Sequence, residues 1–248
     1  MKIWFFTLLF VAGYINIMAQ SEPENSVEED NYTEEESYKL YFIEPSLSLH
    51  IPQGRFARNI ADEVFLGFSL AALIQAKADA PLFLGAEFQY AQLDNYFSSW
   101  DGFFDNGDLA EFDSNVNSSY IGLALITRYY LPFPTQILQP YVEGSLGGRY
   151  MYSYQTTTSF FDGFEEDATS TFEQSDFNVF YGAAFGFQVL MADNTFLNIK
   201  TRYSIGQSAS YDVVRENVGA IEDAIAAFET KQSPVNFIKV DIGITQIF

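Results

Sequence analysis

The segment Ile238-Lys239-Val240-Asp241-Ile242-Gly243-Ile244-Thr245-Gln246-Ile247-Phe248 decides the fold. Ile238, Val240, Ile242 and Ile244, followed by Gln246 and Phe248, fall on one face of an extended chain, while Lys239, Asp241, Gly243 and Thr245 fall on the other. Successive side chains of a strand point to opposite sides, so this strand has one apolar and one polar face. In a barrel that crosses a membrane, the apolar face meets lipid and the polar face lines the interior.

Working back from that strand, seven more candidates appear, at approximately 39–51, 63–76, 81–93, 117–131, 140–156, 177–191 and 195–210, with the last at 234–248. Each reaches the roughly 9–11 residues of a tilted membrane strand. Connections alternate: 76–81, 131–140 and 192–194 are short, whereas 52–62, 94–116, 157–176 and 211–233 are longer. Short turns at one end and long loops at the other suit an even-stranded barrel with both termini on the short-turn side. A soluble sandwich has no reason to sort its loops this way. The pattern predicts an all-β fold, an eight-stranded antiparallel transmembrane β-barrel of up-and-down meander order. In the sixth strand Tyr181, Ala183, Phe185, Phe187, Val189 and Met191 should face out, and Gly182, Ala184, Gly186 and Gln188 in.

Residues 1–19 read as a signal peptide: Lys2 supplies the charge, Ile3 to Ala12 the apolar run, and Ala19 the small residue before a cut at Gln20. Gly13, Tyr14 and Asn16 break the run well short of the roughly 20 residues a spanning helix needs. Residues 20–38 carry eight acids and no base, too little apolar surface to offset ordering entropy, and read as an acidic disordered tail on the periplasmic side. Residues 39–248 form the barrel domain. The formal charge of −21 argues against nucleic acid as a partner, because phosphates demand Lys and Arg. The absence of cysteine excludes disulfides and thiolate chemistry, and 16 Tyr with 26 Phe would furnish aromatic belts at both membrane interfaces.

Ile121 to Pro132, with the stretch Gln139-Pro140-Tyr141-Val142-Glu143-Gly144-Ser145-Leu146-Gly147-Gly148, resembles the small outer-membrane β-barrels of OmpA/OmpX type, most closely the versions common in Bacteroidota. The likeness runs from Lys39 to Phe248. It implies an integral protein of the outer membrane of a Gram-negative bacterium, with membrane lipid and the barrel assembly machinery as partners. It also implies an assembly signal in the last strand, carried by Asp241, Gly243 and Phe248. Gln246 departs from that signal, standing where an apolar residue is usual. The periplasmic peptidoglycan-binding domain of the family is not expected, since nothing follows Phe248.

Alternation places nine charged residues inside: Glu44, Glu87, Glu143 and Asp241 against Arg128, Arg149, Lys200, Arg202 and Lys239. Charges in a narrow lumen have to be paired. Pairing Leu131 with Pro140 sets Arg128 opposite Glu143, and the next hairpin sets Lys200 opposite Gly186, where a long side chain would find room. The set would either line a selective pore or plug the lumen; eight strands leave an interior just wide enough for side chains, which favours the plug.

His50, the one histidine, lies near the outer end of the first strand on the face of Ser46 and Ser48, and reads as a polar rim residue. Two long loops are aromatic and acidic, with Trp100, Phe103, Phe104, Phe160, Phe161 and Phe164 as a contact surface for an extracellular protein or glycan. Their acids match no full calcium loop. Val218, Ile221, Ile225 and Phe228 fall at helical spacing, which predicts a short amphipathic helix lying on the barrel rim. No cofactor, metal or catalytic residue is expected. The sequence therefore points to a structural or surface-interaction role; the alternatives are a small channel for a small or apolar solute, and a lipid-modifying enzyme built around His50.

Overall fold

The computed structural model describes residues 39–60, 64–78, 80–103, 109–132, 134–135, 137–161, 164–214 and 228–248. The signal-like segment and the acidic tail lie outside the described residues. Eight strands, β1 (Tyr41–Gln53), β2 (Phe65–Gln75), β3 (Leu82–Phe103), β4 (Leu109–Tyr130), β5 (Leu138–Phe161), β6 (Phe164–Ala192), β7 (Thr195–Gly206) and β10 (Asn236–Ile247), close into one antiparallel barrel. Each pairs with its neighbour in sequence, and β10 returns to β1. A two-stranded ribbon, β8 (Ser208–Val214) with β9 (Phe228–Pro234), continues β7 and β10 beyond the barrel.

The closing seam is the physical condition for the rest. Within hydrocarbon an unpaired sheet edge costs several kcal/mol per polar group, so the first and last strands must meet. They pair from Phe42↔Ile247 to Gln53↔Asn236, and Tyr41 and Phe248 exchange both backbone hydrogen bonds at 3.1 and 2.9 Å. Gly243 sits where any Cβ would collide with the Ser46 hydroxyl and the Pro45 carbonyl. Gln246, the departure from the apolar pattern, accepts a 2.8 Å hydrogen bond from the Thr195 hydroxyl at the turn end of the barrel.

Alternation holds around the wall. Leu47, Leu66, Leu125 and Phe185 stand on the outside, the first three about 70 % exposed, while their strand neighbours are buried. Apolar surface encircling a closed barrel is stable only against lipid, and the protein is an integral outer-membrane barrel. The short connections share the end that holds Tyr41 and Phe248; the tightest places Asn194 at φ 61°, a left-handed conformation that asparagine tolerates.

Three features differ from the sequence reading. The stretches 94–116 and 157–176 are largely strand rather than loop: β3 to β6 run 22, 22, 24 and 29 residues, with ladders reaching Phe103↔Leu109 and Phe161↔Phe164. A membrane needs only about half of that, so β3–β6 rise past the barrel mouth as a four-stranded sheet. Their Thr-, Ser- and Phe-rich sequence suits strands, and cross-strand pairing outweighs the loop-like Asp and Gly content. The predicted rim helix is corrected at its end, since Phe228 begins β9; Val218, Ile221 and Ile225 lie outside the described residues. Finally, the first outer connection contains a short helix, α1 (Gly54–Asn59), that periodicity over six residues was too short to reveal.

The seam offers a direct test. Gly243→Ala should destabilise the folded barrel by about 1–3 kcal/mol, the cost of forcing a methyl into a closed packing, measured by urea unfolding in lipid vesicles. Unchanged stability would mean that β1 and β10 are not so closely apposed.

Candidate functional site

The lumen is packed in three layers. At the turn end Phe42 stacks on Phe83 with ring centroids 4.5 Å apart, joined by Leu73, Ile126 and Tyr130. At the outer end lie Phe65, Tyr120, Met151 and Phe237, roofed by Phe56 of α1. Charge is confined between these two apolar layers. All nine residues assigned to the interior by alternation are buried there.

Arg128 bridges two strands. Its Nη1 and Nη2 donate to Glu44 at 2.7 and 3.1 Å, and its Nε and Nη2 donate to Glu143 at 2.9 and 2.7 Å. The register sets Arg128 opposite Glu143, as the turn arithmetic predicts. Glu87 is the hub: Arg202 grips it with both terminal nitrogens, and Lys200 and Lys239 donate to it at 2.9 and 2.8 Å. Arg202 also reaches Glu143, and Lys200 stands 3.4 Å from the same carboxylate, so the two clusters are one network. Asp241 completes it, 3.2 Å from Lys239 and accepting a 2.6 Å bond from the Ser48 hydroxyl. Glu87 on β3 faces β7 from the opposite wall, so these bonds cross the lumen. Tyr141 supports the network, with its ring 4.1 Å from the Arg128 guanidinium carbon and its hydroxyl donating to Asn198 at 2.7 Å.

Three residues depart from expectation. Lys200 is opposite Gly186, but the space above that glycine is taken by Tyr141, whose ring a Cβ would strike; Lys200 reaches across the lumen to the carboxylates instead. Arg149 has no carboxylate partner among the described residues. Its guanidinium lies 3.8 Å from the Phe180 ring centroid, and its Nη2 donates to Ser204 at 2.8 Å, a cation–π solution to burial that alternation cannot foresee. His50 is no rim residue. It is buried, with the Tyr120 hydroxyl 3.0 Å from Nδ1 and the ring edge-on to Tyr120 and Phe237, in a place where Gly67 leaves room. Ser48, its neighbour on the strand, donates to Asp241 instead, and among the described residues the partner of the imidazole is the Tyr120 hydroxyl.

The roof was missed by sequence reading. Phe56 is fully buried, 4.8 Å from Tyr211 and 5.2 Å from Phe237 between ring centroids. Asn59 donates to the Tyr211 hydroxyl at 2.7 Å, which ties α1 to β8. The one sequence signal was an aromatic between two arginines in Gly54-Arg55-Phe56-Ala57-Arg58, which alone specifies nothing. Of the expected contact residues, Trp100, Phe103, Phe160, Phe161 and Phe164 belong to strands of the rising sheet, with their side chains outside the described set; Phe104 lies outside the described residues altogether.

An eight-stranded meander with lipid-facing leucines and a lumen filled by side chains leaves one architecture. The fold is that of the small outer-membrane barrels of OmpA/OmpX type. No protein-family model and no curated protein matches the chain. Solved structures with a similar course include a major outer membrane protein of Thermus thermophilus, at 14% identity and TM-score 0.49 over 85% of this chain and 100% of that one. Neisserial surface protein A aligns at 10% identity and TM-score 0.44 over 83% and 96%. OprG from Pseudomonas aeruginosa aligns at 15% and 0.41 over 86% and 97%.

Removing one member of the network should strand the others. Arg128→Gln leaves Glu44 and Glu143 without their shared cation, and should cost about 3–5 kcal/mol, the range for breaking a buried ion pair. Urea unfolding of the variant in vesicles measures this; a loss under about 1 kcal/mol would indicate that water reaches the pair.

Proposed function

We propose that this protein is a plugged barrel that acts at the cell surface, maintaining the envelope and making contacts through its outer hairpins. The observation that carries this reading is the lumen, where one ion network spans the barrel from wall to wall beneath a roof made by Phe56. A solute would have to separate buried ion pairs to pass, which is costly. The strand faces are already committed, outward to lipid and inward to the network, so recognition falls to the segments beyond the membrane. Those segments are long, acidic and aromatic: 94–116, 157–176 and 211–233 hold six, six and five acids. Such a surface suits an extracellular protein or glycan as partner.

Two measurements test it. The purified barrel in planar lipid bilayers should give no stable conductance; a reproducible open-channel current would move the function to transport. Removing the hairpin tips, Trp100 to Phe104 and Phe160 to Phe164, should leave a folded, heat-modifiable barrel that no longer rescues a deletion strain. Full rescue by the trimmed barrel would place the function elsewhere in the chain.

A further inference from the structure

Above the mouth, the sheet of β3 to β6 has two edges, and they are built differently. In the barrel β3 pairs with β2 only as far as Gly67↔Ala91, whereas its ladder with β4 runs on to Phe103↔Leu109. Among the described residues, 92–103 of β3 therefore have a ladder partner on one side only. β6 is placed likewise above Phe180↔Gly206, but its edge is guarded. Its register with β5 slips twice, at Glu173 and at Glu166, and the Asp176 carboxylate accepts a 2.7 Å hydrogen bond from the Ser210 backbone N–H of β8. Bulges and charges of this kind keep an edge from recruiting another strand. The β3 edge lacks such protection over most of its length. From Asp94↔Ser118 outward its register with β4 is unbroken, and residues 94–103 hold no proline, no lysine and only two acids, Asp94 and Asp101. A long, regular edge outside the hydrocarbon is a template for an added strand.

The two faces of that edge select what the strand carries. Register partners share a face, so Asp101 and Glu111 stand directly opposite each other, with Asp113 two residues along β4 on the same side. This is the outer side: Ser99 and Glu111 are exposed, and the Ser99 hydroxyl donates to Glu111 Oε1 at 3.1 Å. Like charges facing each other across a ladder are destabilising. The segments 94–116 and 157–176 hold six acids each and no Lys, Arg or His to relieve them. On the opposite face Tyr96 and Trp100 are in register with Val116 and Phe112, and Asp94 is the one acid of β3 there. A strand lying along this edge meets carboxylates on one face and aromatic positions on the other.

We infer that the outer edge of β3 takes up, by strand addition, an extended segment of an extracellular protein in which Lys or Arg alternates with apolar residues. Alternation with period 2 places every base of a strand on one side, here the side of Asp101, Glu111 and Asp113, and leaves the apolar side chains for the side of Tyr96 and Trp100. Backbone hydrogen bonds supply affinity, and the alternation supplies selectivity. A second copy of this chain is a poor occupant, because it brings the same base-free acidic sheet, and like charges across an interface are penalised. Strand addition here rests on the reading of the outer hairpins as the contact region, and specifies the partner they contact.

The test uses the full mature protein in phosphatidylcholine vesicles, whose surface carries no net charge to attract a basic peptide. Trp100 lies on the edge and is the one tryptophan after residue 19, so its emission reports an added strand. The probe is a tryptophan-free peptide of about nine residues, the roughly 30 Å of strand from 94 to 102, with Lys and Val alternating. Wild type should give a saturable change in emission. A peptide of the same composition with its lysines in one block should bind about tenfold more weakly or worse. N-methylation of every second amide should abolish binding in one phase and spare it in the other, because only alternate N–H groups of an added strand face its neighbour. Asp101→Asn with Glu111→Gln should weaken binding about tenfold in a barrel that remains heat-modifiable. If that pair fails to fold, raising salt from about 50 to about 500 mM should weaken binding to wild type instead. No saturable change up to about 1 mM peptide, equal binding of the alternating and blocked peptides, or methylation that acts alike in both phases would overturn the inference, as would a response to Ca²⁺ alone that the peptide does not reproduce. If the peptide fails while barrels trimmed at the hairpin tips still lose rescue, strand addition falls and the surface role stands; full rescue by trimmed barrels removes the surface role itself.

Discussion

The structure depends on having no sheet edge inside the bilayer. Every backbone donor and acceptor of a strand in hydrocarbon has to find its partner in the next strand, and the eighth has to return to the first. That requirement fixes the terminal strand: alternating isoleucines for lipid, Gly243 for close approach to β1, and Phe248 bonded to Tyr41. It also fixes the lumen. Eight strands enclose a space that side chains fill, so whatever the inward faces carry must be mutually satisfied in the same small volume.

The inward faces carry nine charges, and their arrangement has a physical logic. An ion pair open to water contributes little, whereas one sealed from it cannot lose a partner without large cost. Aromatic and aliphatic layers at both ends do the sealing here. Phe42 and Phe83 lie below; Tyr120, Phe237 and Phe56 lie above. Glu87, held by three cations from two strands of the opposite wall, ties β3 to β7 and β10. Barrel shape is thereby specified across the lumen as well as around the wall. Arg149 lies outside this network and is accommodated by rings, which keeps the surplus cation of the interior away from the other bases' shared carboxylates.

Much of this was legible in the sequence because a membrane strand has two faces with opposite chemistry. Alternation assigned all nine interior charges, the outward leucines and the register of Arg128 with Glu143. What it could not supply was any arrangement made across the lumen. The link from Arg128 to Glu44 spans 84 positions and that from Arg202 to Glu87 spans 115, and neither follows from spacing. The same holds for Tyr141 filling the space over Gly186. Boundaries between strand and loop also failed above the membrane, because Asp, Gly and Ser in 94–116 resemble loop composition while the ladder between β3 and β4 continues through them. Helix α1 was invisible for a different reason: six residues are under two turns, and its position is set by Phe56 packing on Phe237 and Tyr211 rather than by its own propensity.

The sheet that rises above the mouth has a different solvent from the barrel below it, and its chemistry changes accordingly. Along β3 to β6 the exposed outward positions nearest the turn end are mostly Leu, Val and Phe; at the next row they are Tyr90, Ile121, Tyr150 and Phe177; farther out the strands carry Gln, Asn, Ser and Tyr together with acids such as Asp94, Glu173 and Asp176. That change follows from the same rule that shapes the barrel: each level of the wall presents side chains suited to the medium it meets.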